Sequence, residues 1–389
     1  MSTSKKTFCI VAGASGGHLI PALVVARSWK EKNQDGRVLL FNTTKSLDSR
    51  VARDFQFIDQ IISLKLVSFS KRPDRFLGCL FTSIAAFLRS FASFLRCRPV
   101  QVVSTGGLIA IPVAYAARVF RIPVVLYELN AIPGKASKKL ARLASEIRMP
   151  FASAVSYFKK MLPSVAKKCR LVEYPLRFSK LASFPKAKLI GKINEQIETA
   201  YALEGKAPRF QLARKTLMIF GGSQGAQQFN EFMRKLVKLR KNFSDKIQVI
   251  HQIGSENPKR WMRQYEKAGI PAFVFGYTDI IRECYHVADL VVARGGAGSL
   301  FELASTKTKS LIIPLEAADG HQILNARDMK RKHPETFEIA HSEDLDGGAK
   351  KIASQIFTLM GFVKSTIITP ARRAPNEIPT KQAVITSQP

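Results

Sequence analysis

The chain has 389 residues, enough for two domains of ordinary size, each with its own hydrophobic core. Hydrophobic residues make up 46% of it and charged residues 23%, which is a globular composition and not that of a disordered or fibrous chain. The formal net charge of +32 indicates a polyanionic partner, namely nucleic acid, an anionic membrane surface or a phosphorylated substrate, unless the source genome encodes basic proteins in general.

The cysteines and the N-terminus indicate the compartment. The five cysteines are scattered and never spaced C-x-x-C, which argues against a disulfide framework or a zinc site: Cys9, Cys79, Cys97, Cys169 and Cys284. A reducing, cytosolic compartment is therefore expected. The N-terminal apolar run has only the length of a strand and ends in glycines, so we do not expect a signal peptide.

Strand-like runs alternate with helix-length segments along the chain. The first series is "TFCIVA", "RVLLFN", "VQVVST" and "IPVVLYE", and the second is "TLMIFGG", "IQVIHQIG", "AFVFGY", "LVVARGG" and "SLIIPL". Short apolar runs between helical patterns predict βαβ units and parallel sheets. The predicted fold is α/β, with one Rossmann-like domain over 1–176 and another over 177–360. We expect 178–213 to be an irregular inter-domain region and 361–389 to be a mobile tail.

Four glycine-rich loops follow predicted strands, at residues 13–17, 106–107, 221–225 and 295–298. Glycine lets backbone N–H groups and a helix N-terminus approach an anion closely, although glycine also closes ordinary strand-to-helix turns. The loops fit neither G-x-x-x-x-G-K-[ST] nor G-x-G-x-x-G with an acidic residue further on, so a P-loop NTPase and a dinucleotide site are not expected. Four such loops in two similar halves predict an active site in a cleft between the domains.

Several ionisable and amide side chains lie near these loops. His18 ends the first loop, where a neutral imidazole can accept a proton; the alternative is a histidine that hydrogen-bonds a neighbouring loop. Glu302 follows the fourth loop at helical spacing and is a candidate for a ribose hydroxyl. Asp319, His321, Gln322 and Asn325 form a polar cluster suited to a sugar, although such residues are more often helix caps or surface groups.

The segment 75–99 is the most apolar helix-like stretch. Its apolar stripe consists of Phe76, Leu80, Ile84, Phe87, Phe91 and Phe94. Arg89 near its centre argues against a membrane-spanning helix. Attachment to an anionic membrane surface is expected, because basic residues flank the aromatic ones: Lys65, Lys71, Arg72, Arg75, Arg89, Arg96 and Arg98. A core helix with solvated ends is the alternative, and one helix can do both.

The chain resembles the MurG-type N-acetylglucosaminyltransferases of glycosyltransferase family 28. The matching segments are "GASGGHLIPALVVA", "STGGLIAIPVAYAA", "IPVVLYELNAIPG", "YPLR", "GGSQGAQQFNE", "ARGGAGSLFELA" and "DGHQILNA". They occur in the family's order over about residues 7 to 330. The resemblance implies a GT-B fold, two Rossmann-like domains facing each other across a cleft.

The resemblance also implies roles for individual residues. The donor UDP-GlcNAc would bind the second domain, through Arg177, Ser223, Gln224, Ala297, Gly298, Ser299, Glu302, His321 and Gln322. The diphosphate of a lipid-linked acceptor would bind the first domain, through Ser15, Gly16, Gly17, His18, Gly106, Gly107 and Asn130. His18, as the candidate base, and Glu128 are the implied catalytic residues.

Several positions depart from the family's pattern. Ala14 and Ser15 stand where the family usually has Gly-Thr, Leu108 replaces an aromatic residue and Leu129 replaces glutamine. The family's "GNP-V-R" appears here as "EYPLR", and its last helix, which returns to the first domain, is hard to recognise beyond residue 350. The acceptor side is therefore less firmly implied than the donor side.

The implied reaction is inverting transfer of GlcNAc to the 4-hydroxyl of lipid I, which gives lipid II for peptidoglycan synthesis. No tightly bound cofactor and no metal site are expected, although a free divalent cation would stimulate transfer; "DLD" at 344–346 is interpreted as a helix start. Expected partners are UDP-GlcNAc, lipid I, an anionic membrane and other cell-wall synthesis proteins, at the cytoplasmic face of the inner membrane.

Three other functions are weighed against this one. The first is a glycosyltransferase with a diacylglycerol acceptor, and the second is an inactive membrane scaffold that binds a sugar nucleotide. The third, a nucleic-acid binder, would explain the charge, but the sequence has no RNP, zinc or helix-turn-helix pattern.

Overall fold

Two parallel sheets organise the protein in the computed structural model. The model describes residues 5–13, 16–43, 56–67, 73–178, 184–201, 209–222, 227–238, 245–316, 320–346 and 349–362. The first sheet has the strand order β3-β2-β1-β4-β5-β6-β7. Its strands are β1 (Thr7–Val11), β2 (Arg37–Thr43), β3 (Gln60–Leu64), β4 (Gln101–Ser104), β5 (Val124–Tyr127), β6 (Glu146–Met149) and β7 (Cys169–Leu171).

The second sheet has the order β10-β9-β8-β11-β12-β13. Its strands are β8 (Lys215–Phe220), β9 (Ile247–Gln252), β10 (Ala272–Phe275), β11 (Leu290–Ala293), β12 (Ser310–Ile312) and β13 (Phe337–Ile339). This is the doubly wound order of Rossmann folds. The predicted α/β class and pair of Rossmann-like domains are confirmed.

Helices connect the strands of both sheets. In the first domain they are α1 (Gly16–Lys32), α2 (Pro73–Arg96), α3 (Ala110–Val119), α4 (Lys135–Leu143) and α5 (Ala152–Met161), followed by a 3₁₀ turn over Pro163–Lys168. The remaining helices are α6 (Lys186–Tyr201), α7 (Gln227–Lys238), α8 (Pro258–Lys267), α9 (Ile281–Val287), α10 (Ala297–Thr306), α11 (His321–Lys332), α12 (Glu343–Asp346) and α13 (Ala349–Leu359).

The buried strands are those that the sequence predicts. β1, β5, β8, β9 and β11 are buried along all or nearly all of their length, because helices cover both faces of a parallel sheet. The strands without a predicted counterpart are β3, β6, β7 and β13, which are short and carry polar residues. Three of them lie at sheet edges, where one row of backbone groups stays unpaired and polar residues are usual.

The expectation of an irregular region over 178–213 is wrong, because α6 occupies its centre. The buried side chains of α6 recur at helical spacing: Leu189, Ile190, Ile193 and Ile197. They pack against α9 and β10 of the second domain, and Lys186 pairs with Asp289 at 3.0 Å. Gly191, which suggested a break, faces open space and is tolerated within the helix.

The C-terminal helices also belong to the second domain. Both α12 and α13 pack on α7, and α12 contains the "DLD" segment, whose interpretation as helical is confirmed. Gly361 and Phe362 close α13, and the ring of Phe362 lies 6.1 Å from that of Phe357. The rest of the predicted tail, 363–389, lies outside the described residues.

Candidate active site

The carboxyl ends of the two sheets face each other, and the side chain of Asn325 joins the loops that follow them. Its Oδ1 accepts a hydrogen bond from the N–H of Ala131 at 2.8 Å. Its Nδ2 donates to Oδ1 of Asn130 at 3.1 Å and to the carbonyl of Gly295 at 3.2 Å. Ala131 follows β5 and Gly295 follows β11, so one fully buried amide spans the cleft between the domains.

The four glycine loops lie where the strand order of each sheet reverses. In the first sheet β1 and β4 are neighbours, and in the second sheet β8 and β11 are neighbours. Ligands of doubly wound sheets bind at these switch points, outside the carboxyl ends of the strands. The predicted position of the active site therefore agrees with the topology.

His18 lies in the first turn of α1, together with Gly16 and Gly17, beside the loop after β4. Its Nδ1 bonds the carbonyl oxygen of Thr105 at 2.6 Å, and the Thr105 hydroxyl donates back to the carbonyl of His18 at 2.9 Å. Because a carbonyl only accepts, the proton of the neutral ring sits on Nδ1 and the lone pair on Nε2. The hydrogen bond to a neighbouring loop that we weighed as an alternative is present, and it leaves Nε2 able to accept a proton.

Gly106 and Gly107 form the second acceptor loop. Their φ values are +99° and +90°, a region that side chains other than glycine rarely adopt. A Cβ at Gly106 would lie 3.3 Å from Cε1 of His18 and 3.4 Å from Oγ of Ser137. The loop therefore presents bare backbone next to the imidazole.

Glu128 lies at the end of β5 and is almost fully buried. Its Oε1 accepts hydrogen bonds from the backbone N–H and the side-chain amide of Asn130, at 2.9 and 3.3 Å. Within the described part of the chain its Oε2 has no partner of ordinary hydrogen-bond geometry. Burial raises the pKa of Glu128, while Ser137, Asn130 and His18 oppose that rise. Glu128 thus lies near His18 and is hydrogen-bonded to Asn130, and the expected roles of both residues remain predictions.

The donor side is built around glycines that contact backbone. A Cβ at Gly295 would collide with the carbonyl oxygen of Gln322, and Oε1 of Gln322 accepts hydrogen bonds from the N–H groups of Gly295 and Leu315, at 3.2 and 2.9 Å. Gly222, after β8, has a φ of +87°. Four predicted site residues lie outside the described residues: Ser15 on the acceptor side, Ser223 and Gln224 on the donor side, and Asp319 of the polar cluster.

The first turn of α10 contains Ala297, Gly298 and Ser299. Its N-cap residue, Gly296, provides no side-chain hydrogen bond to this turn. The N–H groups of a first turn lack partners within the helix and attract anions. This turn is therefore suited to a diphosphate, and its contact with the donor remains a prediction.

Arg177 and Glu302 pair with each other. The guanidinium donates to both carboxylate oxygens of Glu302, at 2.9 and 3.3 Å, and the Tyr285 hydroxyl donates to Oε2 at 3.0 Å. Burial works to lower the pKa of Arg177, but the Glu302 carboxylate outweighs it, so that this pKa is raised. Each carboxylate oxygen has two lone pairs, so Glu302 can still accept a ribose hydroxyl. Its predicted role remains a prediction, as does that of Arg177.

His321 faces the first domain. Its Nδ1 bonds the carbonyl oxygen of Ile132 at 3.0 Å, across the cleft. The neighbouring Gln322 holds the Gly295 loop, as described above. Both residues thus contact the cleft, and their expected contacts with GlcNAc remain predictions.

Sequence reasoning missed three residues of the site. Arg294 is buried, donates to the carbonyl of Ile313 at 3.1 Å and lies over the ring of Phe229 at 4.5 Å, so it fixes the loop after β11. Ser137 lies against Gly106, and Tyr285 holds Glu302. An arginine directly after the apolar run "LVVA" was a signal for Arg294, because an unpaired charge is costly to bury. The sequence contains no comparable signal for Ser137 or Tyr285.

Comparisons with known proteins identify the family. The Glycosyltransferase family 28 N-terminal domain matches residues 8–149, and the Glycosyltransferase family 28 C-terminal domain matches residues 216–356. The chain belongs to glycosyltransferase family 28. The first match covers β1 to β6 and the second β8 to β13, so each sheet corresponds to one domain of the family.

Relatives in this family match the chain over most of its length. Two of them are named UDP-N-acetylglucosamine–N-acetylmuramyl-(pentapeptide) pyrophosphoryl-undecaprenol N-acetylglucosamine transferase. The protein of Myxococcus xanthus is 28% identical over 82% of this chain and 76% of its own length. That of Thermodesulfovibrio yellowstonii is 29% identical over 88% of each chain. Among solved structures, Acinetobacter baumannii MurG has a similar fold, with a TM-score of 0.64 and 21% identity over 92% of this chain and 91% of its own.

The glycosyltransferase's α2 divides its apolar stripe between core and solvent. Phe94 is buried, and Phe87 and Phe91 pack against the core, whereas Phe76, Leu80 and Ile84 are exposed. Further exposed apolar side chains on α2 are Leu77, Phe81, Leu88 and Leu95. By length and composition Phe76–Arg96 could cross a membrane, and little of it is buried. The core interpretation therefore applies to one face of α2, and attachment of its exposed face to a membrane remains a prediction.

The described residues contain no metal site of the usual kind. Within those ranges no group of three or more His, Cys, Asp or Glu side chains could hold a metal ion.

Proposed function

We propose that the protein transfers GlcNAc from UDP-GlcNAc to the 4-hydroxyl of the muramoyl sugar of lipid I, with inversion, giving lipid II. The observation that carries this proposal is the arrangement of the glycine loops. The described glycines of two loops lie beside His18 on one side of the cleft, and those of the other two lie at the ends of the neighbouring strands β8 and β11 and in the turn that begins α10. A transferase between two diphosphate-linked molecules needs two such anion sites facing each other.

The donor occupies the second domain in this proposal. Its diphosphate lies at the first turn of α10, where backbone N–H groups and the helix dipole stabilise the charge that develops on departing UDP. Glu302 accepts the ribose hydroxyls, and Arg177, whose guanidinium pairs with Glu302 at 2.9 Å, contributes positive charge to the donor site. His321 and Gln322 face the sugar.

The acceptor occupies the first domain. Its diphosphate lies against Gly106 and Gly107, where no side chain obstructs the backbone. Nε2 of His18 takes the proton of the 4-hydroxyl as that oxygen attacks C1 of GlcNAc, because the bond to Thr105 keeps the ring proton on Nδ1. Glu128, buried beside this ring, stabilises the imidazolium that forms.

The proposed chemistry needs no tightly bound cofactor. Loop N–H groups and Arg177 supply the positive charge that a metal would otherwise provide. A free divalent cation stimulates the reaction by binding the diphosphates in solution.

We further propose that the exposed face of α2 rests on an anionic membrane, at the cytoplasmic face of the inner membrane. α2 connects β3 with β4, which belong to one parallel sheet, so both of its ends remain at that sheet and it does not span. An apolar face with Arg89 and Arg96 among its side chains suits an interface rich in acidic lipids. Contacts with other cell-wall synthesis proteins remain a prediction.

The release of UDP tests the acceptor. Purified protein and UDP-GlcNAc are mixed with vesicles that contain lipid I, diacylglycerol or neither. We expect rapid release of UDP with lipid I alone. Release with diacylglycerol would support the alternative acceptor, and tight binding of UDP-GlcNAc with no release in any mixture would support a scaffold.

A further inference from the structure

The hydroxyl of Tyr174 lies beside the first turn of α10, where the donor's diphosphate is placed. Tyr174 follows β7 in the connection that leads to α6, and its side chain is only 8% exposed. Its oxygen is 3.2 Å from the position that a Cβ on Gly298 would occupy. A side chain at residue 298 would therefore press on the hydroxyl, and the glycine makes room for it against the turn.

Aromatic packing fixes the position of this hydroxyl. The ring of Tyr174 stacks on that of Phe301 in α10, with centroids 4.7 Å apart and planes inclined by 15°. Phe301 in turn packs against Phe151, which follows β6 in the first domain, with centroids 5.0 Å apart and planes inclined by 62°. Stacked and edge-on pairs of this kind are favourable geometries for aromatic rings. The phenol is thus held at the start of α10 from both domains.

The hydroxyl is shielded from bulk water and has no hydrogen-bond partner among the residues that the structure describes. The charges of Glu302 and Arg177 act on it, but these two side chains hydrogen-bond each other and not Tyr174. Burial raises the pKa of Tyr174, and the Glu302 carboxylate adds to that rise, so the hydroxyl keeps its proton and can donate it to a hydrogen bond. A buried hydroxyl without a partner destabilises a fold, and such a group calls for a role outside folding.

We propose that the Tyr174 hydroxyl donates a hydrogen bond to a diphosphate oxygen of the sugar-nucleotide donor. The inference rests on the proposed function, since it takes the first turn of α10 as the diphosphate site. The N–H groups of that turn have no partners within the helix and attract the anion, and the phenol adds one more donor beside them. A charged phosphate oxygen is a stronger acceptor than a ribose hydroxyl. Tyr174 belongs to "EYPLR", where the chain departs from the family's pattern, so the resemblance assigns it no role.

Tyr174→Phe tests the proposal, because it removes the hydroxyl and keeps the stacked ring. The variant and the unaltered protein are compared by calorimetric titration with UDP-GlcNAc, UDP and uridine, and by thermal unfolding without ligand. The Kd values for UDP-GlcNAc and UDP are expected to rise about tenfold, as for the loss of one hydrogen bond to a charged group, while that for uridine stays within about twofold. Tm is expected to stay unchanged or to rise by about 2–4 °C, because the variant no longer buries an unpaired hydroxyl.

Tyr265→Phe is the matched control. The hydroxyl of Tyr265 is also buried, but it is hydrogen-bonded to Nδ1 of His251 at 3.0 Å. Its removal is expected to lower Tm by about 2–4 °C and to leave all three Kd values within about twofold. The two variants thus separate a hydroxyl that serves a ligand from one that supports the fold.

The outcomes separate this proposal from the proposed function. An unchanged Kd for UDP in Tyr174→Phe would overturn the proposal, and so would a fall in Tm like that of the control, which would mean that the hydroxyl bonds within the protein. An equal rise in the Kd for uridine would place the contact on the nucleoside and overturn it as well. Failure of the unaltered protein to transfer GlcNAc from bound UDP-GlcNAc would overturn the proposed function alone, because the titrations need no transfer and still decide the role of Tyr174.

Discussion

Replacing Arg177 with methionine tests how strongly the Arg177–Glu302 pair stabilises the fold. Methionine keeps most of the apolar stem and removes the guanidinium, which donates hydrogen bonds of 2.9 and 3.3 Å. The side chain of Glu302 is 7% exposed, so its carboxylate then retains only the Tyr285 hydroxyl within the described part of the chain.

Breaking a buried pair costs about 3–5 kcal/mol, and since Arg177 is itself 26% exposed we expect the lower end, about 3 kcal/mol. For a domain of ordinary size this lowers Tm by about 6–12 °C. Urea and thermal unfolding without UDP measure the loss and keep stability separate from donor binding. The double variant Arg177→Met with Glu302→Gln should recover about 1–2 kcal/mol, because no unpaired charge is then buried. A loss below about 1 kcal/mol, or strict additivity of the two changes, would refute this account of the pair.

Three further changes test the site. His18→Ala should lower kcat by about 10²–10⁴-fold at saturating substrates, with UDP-GlcNAc still bound; near-normal turnover would exclude His18 as the base. Gly295→Ala should abolish donor binding in a calorimetric titration, because its Cβ collides with the backbone of Gln322, and an unchanged Kd would contradict that geometry. The unfolding free energy of Glu128→Gln, measured relative to that of the wild type, should increase as pH rises. Because the pKa of Glu128 is raised in the folded protein, the protonated carboxyl stabilises the wild type at pH values below the ordinary pKa of glutamate. That stability is lost as pH rises through the raised pKa. A difference in unfolding free energy between variant and wild type that is independent of pH would contradict the shift.

The sequence contained enough to predict the sheets, because buried parallel strands are continuous apolar runs. Prediction from the sequence failed where tertiary contacts override local composition. In β6, the charges of Glu146 and Arg148 pair with each other at 2.9 Å, which makes a polar segment compatible with a strand. In α6, Gly191 suggested a loop, although the apolar residues around it kept helical spacing.

The candidate site was predictable in its glycines and its histidine, since these follow strands at fixed positions along the chain. The contacts that orient these residues could not be predicted from the sequence. The Thr105 carbonyl that places the proton of His18 lies 87 residues away in sequence, and the amide of Asn325 reaches Asn130 across 195 residues. Such pairs become neighbours only through the crossovers of the sheets and the meeting of the two domains.

The identity of the product tests the central claim most directly. Protein, UDP-GlcNAc and a short-chain lipid I are incubated, and the lipid product is isolated for mass spectrometry and for NMR of its new anomeric proton. The account predicts one added N-acetylhexosamine in β linkage to the 4-oxygen of the muramoyl sugar, with UDP released in equal amount. An α linkage, a different acceptor oxygen, or unmodified lipid I despite bound UDP-GlcNAc would contradict it.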